Sequence, residues 1–241
     1  MDRRFEGKVA IVTGGSTGIG LETSRRLARE GAHVLAASRR PGTTEELGEG
    51  IVPIVCDVSK EEDILACVEA AYERFGRWDA MVNNAGTMIF KKIVDTEVSD
   101  WYGVLNTDLI GAFLFTREAM RRMRKGGAIV NVASIHADAS TPMVATYAAS
   151  KAATLALTRA TAIEGKALGL RCNTVSPGAI DTPMLWENPN LKSGEESLDP
   201  NDVGRPEDVA AMIAFLLSAE AAYVNGENVR VDGGRLDRIP G

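Results

Sequence analysis

The chain has 241 residues, 45% of them hydrophobic, and a net charge of −6. That is enough apolar material for one full core, while an acidic chain without a basic stripe argues against nucleic acid as its main partner. Two histidines, His33 and His136, in no ligand spacing predict no metal site, and no apolar run is long enough to cross a bilayer.

The first strand is read over residues 8–13, a short apolar run ending in glycines, as in a buried parallel strand. Residues 21–29 have helical spacing, with Gly31 as the residue just past the cap. Residues 32–38 form strand two. Pro41-Gly42 and Gly48-Glu49-Gly50 leave room for at most a stub of helix before strand three at 51–56. Ser59-Lys60-Glu61-Glu62 reads as a capping box opening a helix to about Phe75. Strand four, 79–82, runs into Asn83-Asn84-Ala85-Gly86. A long helix is predicted from Ser99 to Arg124, then strand five at 128–133. The helix carrying Tyr147 and Lys151 extends to about Leu168, followed by strand six at 170–175. Residues 177–205 are rich in Pro, Asn, Gly and Glu and lack periodicity. Pro206, with Glu207 and Asp208 in the first turn, opens a last helix to about Ser218, and residues 228–231 make a final strand.

Strand and helix alternate from end to end with no linker or repeat. The pattern predicts one α/β domain over residues 1–241, a parallel sheet with helices on both faces. Cys56, Cys67 and Cys172 fall in apolar strand-like or helical runs, which predicts buried thiols in a reducing compartment. The start, Met1-Asp2-Arg3-Arg4, lacks the apolar core of a signal peptide, so the expected location is the cytoplasm. The arginines at 25–26 and 121–124 fall on helical segments and read as solvated faces.

Two stretches carry chemistry. Ser134 ends the fifth strand, and Tyr147 and Lys151 stand four apart near the start of the helix that follows, so phenol and ammonium share one face. A free tyrosine has a pKa near 10, and a neighbouring cation pulls it down. Bringing it to neutrality takes about 4 kcal/mol of differential interaction, and would suit it to acid/base work. The serine hydroxyl is placed to hold the oxygen whose proton moves. The same spacing also describes a half-buried aromatic beside a solvated charge, so its surroundings must decide. Thr13-Gly14-Gly15-Ser16-Thr17-Gly18-Ile19-Gly20 joins the first strand to the first helix. Glycines there let backbone N–H groups and a helix N-terminus approach a pyrophosphate. Strand two ends in Ser38-Arg39-Arg40 rather than in an acid that would accept ribose hydroxyls. Guanidinium groups suit a 2′-phosphate, which favours NADP(H) over NAD(H).

The ordered set of these motifs resembles the short-chain dehydrogenase/reductase family over nearly the whole chain: the glycine loop at 13–20, Asn83 to Gly86, Ser134, Tyr147 with Lys151, then Pro177-Gly178 and Ile180-Asp181-Thr182, ending at Asp232-Gly233-Gly234. The resemblance implies a Rossmann-type, doubly wound parallel sheet of about seven strands in a homotetramer (or homodimer), with Tyr147 as acid/base, Ser134 binding the substrate oxygen, and Lys151 holding the nicotinamide ribose and lowering the phenol pKa. By the same likeness Gly14, Ser16, Thr17, Gly18, Ile19 and Gly20 hold the pyrophosphate. Asp57 and Val58 meet the adenine, Asn84, Ala85 and Gly86 the ribose, and Pro177, Gly178, Ile180 and Thr182 line the nicotinamide end. Asn83 is read as a strand brace. One position departs from the family pattern: Asp108 stands where an asparagine usually completes the catalytic set. An aspartate cannot donate as the amide does, and its charge near Lys151 opposes the phenolate and raises the Tyr147 pKa. If the proton relay runs through this residue's main-chain carbonyl, the swap is tolerated.

The expected substrate is a sugar, polyol or other small secondary alcohol, or the matching ketone, since strings around 106–119 and 134–136 resemble glucose 1-dehydrogenases. Similar strings occur in 3-oxoacyl-carrier-protein reductases, the alternative. The loop at 135–146 and the segment 177–205 are expected to close in the substrate, with His136, Met143, Met184 and Trp186 as candidate wall residues. A reading from another class is a catalytically weak NADP-binding regulator or scaffold, with Asp108 its one supporting feature.

Overall fold

A computed structural model describes residues 3–123, 125–194 and 197–236. Seven strands form one parallel sheet: β1 (Val9–Thr13), β2 (His33–Ser38), β3 (Ile51–Val55), β4 (Ala80–Asn83), β5 (Ala128–Val132), β6 (Arg171–Pro177) and β7 (Asn228–Val231), in the order β3-β2-β1-β4-β5-β6-β7. The helices are α1 (Gly18–Arg29), α2 (Thr44–Leu47), α3 (Glu61–Phe75), α4 (Val98–Leu105), α5 (Gly111–Arg122), α6 (Ala145–Gly165), α7 (Pro183–Trp186), α8 (Pro189–Ser193) and α9 (Pro206–Leu217). Side chains alternate across each strand. Ala10, Val12, Val34, Val82 and Val130 pack towards α1 and α9, while Val9, Ile11, Leu35, Met81 and Ile129 pack towards α3 and α5. Both faces are therefore dry, which explains why the strands read as unbroken apolar runs. Phe115 of α5, fully buried, stabilises the second face by about 2–3 kcal/mol.

The predicted architecture stands, with three local differences. The capping box at Ser59 does not form. Asp57 takes the Ser59 hydroxyl (2.7 Å) and N–H (3.0 Å) for itself, and α3 starts at Glu61 with Asp63 accepting from the Asp57 N–H at 2.8 Å. An Asx-type turn has outcompeted the cap. The predicted helix from Ser99 to Arg124 is α4 and α5 joined by a π-helical turn, Asn106–Ile110, and Arg124 lies outside the described residues, as do Met1 and Asp2. Residues 177–205, read as irregular, contain α7 and α8, each opened by a proline at its first position, too short to show a helical period.

The centre of the sheet carries a buried polar chain. Asn83 Nδ2 donates to Asn131 Oδ1 (2.8 Å), Asn131 Nδ2 to Thr158 Oγ1 (2.8 Å), and Thr174 Oγ1 to the same hydroxyl (2.7 Å). Asn83 thus braces β4 to β5, as its sequence position suggested, and Thr158 ties both β5 and β6 to α6. Low dielectric makes such a chain costly to break. Thr158→Val keeps the shape and strands the Asn131 amide, so it should lower the unfolding free energy by about 1–3 kcal/mol in urea titrations. A change within error would show that the chain adds nothing.

Candidate active site

The strand order reverses between β1 and β4, the switch point where parallel sheets bind ligands beyond their carboxyl ends. A cleft of about 520 Å³ opens there. Of the sequence-predicted site residues, Gly14, Ser16, Thr17, Gly18, Ile19, Ser38, Arg39, Arg40, Asp57, Val58, Asn84, Ala85, Gly86, Ser134, Tyr147, Lys151, Pro177, Gly178, Ile180 and Thr182 all line it. Gly20 and Asp108 do not. Gly20 lies beneath the loop, where a Cβ would sit 2.1 Å from the Gly14 carbonyl, so it serves close packing of loop on helix. Among the candidate wall residues His136 and Met184 line the cleft. Met143 yields that place to Val144, and Trp186 turns its indole N–H to Asp181 Oδ1 at 2.7 Å.

One side of the cleft is a cradle of backbone. Thr13 Oγ1 accepts from the N–H groups of Asn84 (2.9 Å) and Ala85 (3.0 Å), and Asn84 Nδ2 returns a bond to the Thr13 carbonyl (2.9 Å). These bonds clamp the two loops together. Gly14 has φ +62, and a Cβ there would come within 2.8 Å of Asn84 Nδ2, so glycine meets both the conformation and the space. Helix α1 begins with Thr17, whose side chain makes no capping bond, and has no acid in its first turn. Its N-terminus is therefore electropositive towards the cleft, the setting that a pyrophosphate needs. Ser16 Oγ and Ser38 Oγ lie 3.0 Å apart across the rim, with Arg39 and Arg40 exposed beside them. The residues present fit a dinucleotide.

The reacting corner lies at β5. Ser134 follows the strand, with its Oγ accepting from the His136 N–H at 3.2 Å. Tyr147 and Lys151 occupy the first two turns of α6 and are 7% and 3% exposed. The Lys151 ammonium stands 5.3 Å from the centre of the Tyr147 ring, donates to the Val132 carbonyl at 3.1 Å, and pairs with Asp108 Oδ2 at 3.3 Å. Asp108, in the π-helical turn, also accepts from the Thr87 N–H at 2.8 Å and from Ser150 Oγ at 3.4 Å. It stands behind the lysine rather than in the cleft. A side chain at Gly86 would come within 3.2 Å of both partners of that pair, so the glycine lets the loop lie over them.

Burial pushes the Tyr147 phenol above its ordinary range, Lys151 and the Ser134 hydroxyl pull it down, and Asp108 pushes it up. The lysine acts in the direction read from the sequence, but burial and the aspartate outweigh it. For Lys151 burial opposes the charge, yet Asp108 and the phenol hold its pKa above the usual ammonium value. Burial also raises Asp108, against the pull of Lys151 and the Thr87 N–H. At neutral pH the corner therefore holds a protonated phenol beside an ammonium. Asn188 and Leu198 line the cleft from the segment 177–205, as expected of it, while Met88, Phe90 and Arg235 complete the walls and are absent from the sequence reading. Met88 and Phe90 follow β4 at the sheet's carboxyl edge, a position that the switch-point rule alone would have flagged. Arg235 has no local signal.

The chain matches, over residues 14–235, the family model described as enoyl-(acyl carrier protein) reductase. It is 37% identical to the 3-oxoacyl-(acyl-carrier-protein) reductase FabG of Thermotoga maritima, across 96% of this chain and 98% of that one. It is also 37% identical to 3beta-hydroxysteroid dehydrogenase 1 of Eggerthella lenta, across 95% and 94%. The crystal structure of 3-ketoacyl-(acyl-carrier-protein) reductase from Brucella melitensis complexed with NADH superposes with a TM-score of 0.88 at 32% identity, over 96% and 99% of the two chains.

The geometry makes a spectroscopic prediction. Ultraviolet difference titration of the free protein, with Tyr147→Phe as the blank, should place the Tyr147 phenol above the ordinary tyrosine range. Asp108→Asn should bring it down by removing a nearby negative charge. An unmoved titration in the variant would mean that the aspartate does not act on the phenol.

Proposed function

This chain belongs to the short-chain dehydrogenase/reductase family, NAD(P)-dependent enzymes acting on CH–OH or carbonyl groups, and on that premise we propose that at neutral pH it reduces an apolar ketone to the secondary alcohol. The observation that carries this reading is the corner where Ser134, Tyr147 and a buried Lys151 meet beside the glycine cradle. Bound in the cleft, the nicotinamide cofactor supplies the hydride. Ser134 holds the carbonyl oxygen, and Tyr147 gives that oxygen its proton, leaving a phenolate that Lys151 stabilises until solvent restores the proton. A phenol whose pKa lies above the usual value is protonated and ready for this step at pH 7. The reverse oxidation needs the phenolate and should therefore rise into the alkaline range.

Gly14, Ser16, Thr17, Gly18 and Ile19 hold the pyrophosphate in this reading, Gly20 packs their loop on the helix, and Asp57 and Val58 meet the adenine. Asn84, Ala85 and Gly86 take the ribose with Lys151, and Pro177, Gly178, Ile180 and Thr182 the nicotinamide. Arg39 and Arg40, with Ser38, support NADP(H) over NAD(H) through charge-assisted bonds to a 2′-phosphate. The substrate half is walled mainly by Met88, Phe90, Ile135, Val144, Met184 and Leu185, with the polar His136, Ser140, Thr141 and Asn188 in the same segments. A sugar would need a polar partner for each hydroxyl that it buries. The wall favours an apolar body, such as a ring ketone or a 3-oxoacyl chain, over a polyol. The regulator reading is weakened because Asp108 binds Lys151 in place instead of displacing it. Cytoplasmic location and self-association, as a homotetramer or homodimer, belong to the same proposal. Among the described residues no helix is long and apolar enough to cross a membrane. Val98, Tyr102, Ile110 and Phe113, exposed along α4, the π-helical turn and α5, offer an apolar face for a second copy.

Tyr147→Phe should abolish turnover across a panel of ketones and secondary alcohols while leaving NADPH binding, read by fluorescence, intact. Retained turnover would refute the role of the phenol. Asp108→Asn should move the alkaline limb of alcohol oxidation to lower pH, because the phenolate forms more readily there. An unchanged pH–rate profile would count against the electrostatic reading. Replacing Arg39 and Arg40 by alanine should cut kcat/KM for NADPH relative to NADH by at least about 10-fold, the loss of one charge-assisted phosphate contact. Equal losses with both cofactors would deny the arginines their selectivity.

A further inference from the structure

Two of the loops that wall the substrate half are joined to each other away from the cleft. The loop after β4 presents Met88 and Phe90 to the cleft. Its near end is tied by the Thr87 N–H, which Asp108 Oδ1 accepts at 2.8 Å. Its far end is tied at Lys91. There the main-chain N–H donates to the Met143 carbonyl at 2.9 Å, and the ammonium donates to Asp100 Oδ2, in the first turn of α4, at 2.6 Å. Met143 belongs to the second loop, between β5 and α6, and precedes Val144, which is buried and lines the cleft. The bond from Lys91 to Met143 thus joins the two walls.

Met143 has φ +70 and is the one non-glycine with positive φ among the described residues. That conformation is costly for a residue with a Cβ, and glycine and asparagine bear it more readily. Strain of this kind persists only where the surroundings fix it. Here they fix it from both sides. Lys91 holds the Met143 carbonyl, and the Val144 carbonyl already accepts from the Ala148 N–H at 2.9 Å as α6 begins. Val144, not Met143, lines the cleft, so Met143 contributes its backbone. Relaxing φ to a negative value would redirect its carbonyl and release Lys91.

We propose that Met143 is a positioning residue whose left-handed backbone clasps the two walls together, and so sets the fit of an apolar ketone body without touching the chemistry. This rests on the reductase reading of the same site. The reacting corner has its own anchors, since Lys151 is held by the Val132 carbonyl and Asp108. Loosening the clasp therefore weakens the hold on a substrate long enough to meet both walls and spares a small one.

The test sets Met143→Gly and Met143→Asn, which tolerate the left-handed turn, against Met143→Ile, whose branched Cβ does not. Hydrogen exchange of the Lys91 amide, followed by NMR, should be slow in the wild-type protein and in the Gly and Asn variants, and at least about 10-fold faster in Met143→Ile. With NADPH, Met143→Ile should cost 2-decanone about 10-fold in kcat/KM, mostly in KM, and 2-butanone no more than about twofold. NADPH affinity should stay unchanged, and Gly and Asn should keep the wild-type KM for 2-decanone. An equal rise of KM in all three variants would assign the effect to the Met143 side chain, and an unchanged KM in Met143→Ile would deny the clasp a role. Either result overturns the inference and leaves the reductase reading standing. A fast-exchanging Lys91 amide in the wild-type protein would overturn it independently of any variant. Turnover of neither ketone, with NADPH bound, would overturn both.

Discussion

A single buried ammonium organises the reacting half of this molecule. Lys151 is enclosed by the Val132 carbonyl, the Asp108 carboxylate and the face of Tyr147. Burying a charge without partners is prohibitive, so each of these groups is a condition for the others. The carbonyl comes from the end of β5, the carboxylate from the helix packed beside it, and the phenol from the turn below. Sheet, flanking helix and α6 are thereby fixed to one another at the point where chemistry is proposed. Asp108 adds a second constraint, since it also holds the Thr87 N–H and so anchors the loop leaving β4. That loop supplies Met88 and Phe90 to the substrate wall.

The price of so much shielding is a reluctant phenol. Burial and Asp108 oppose the phenolate, whereas Lys151 and Ser134 favour it. The balance keeps the proton on the phenol at neutral pH.

Much of this was legible before any coordinates. Parallel strands buried on both faces declare themselves as apolar runs, and parallel pairing followed from strict alternation with helices. The glycine loop, Ser134 and the Tyr147–Lys151 pair were legible because each depends on local spacing. What escaped depends on tertiary contact. Ser59 carries a capping signature, yet Asp57 reaches it first. The net direction of the Tyr147 shift is a contest between burial and two charges, and burial is invisible to spacing. The apolar substrate wall is drawn from loops after three different strands, and Arg235 lies some hundred residues beyond Ser134, so no window on the sequence contains the pocket.

The position of β7 has a consequence for how the protein comes into being. It is the last of the described strands and the outermost in the sheet, and the turn that follows it presses on Gly178 at the cleft. The glycine cradle, by contrast, is made of segments that leave the ribosome well before β7 does. A growing polypeptide could assemble its dinucleotide half long before the floor beneath the substrate exists. Competence for chemistry would then arrive as a late, single docking event, and unfinished chains would be kept silent by geometry alone.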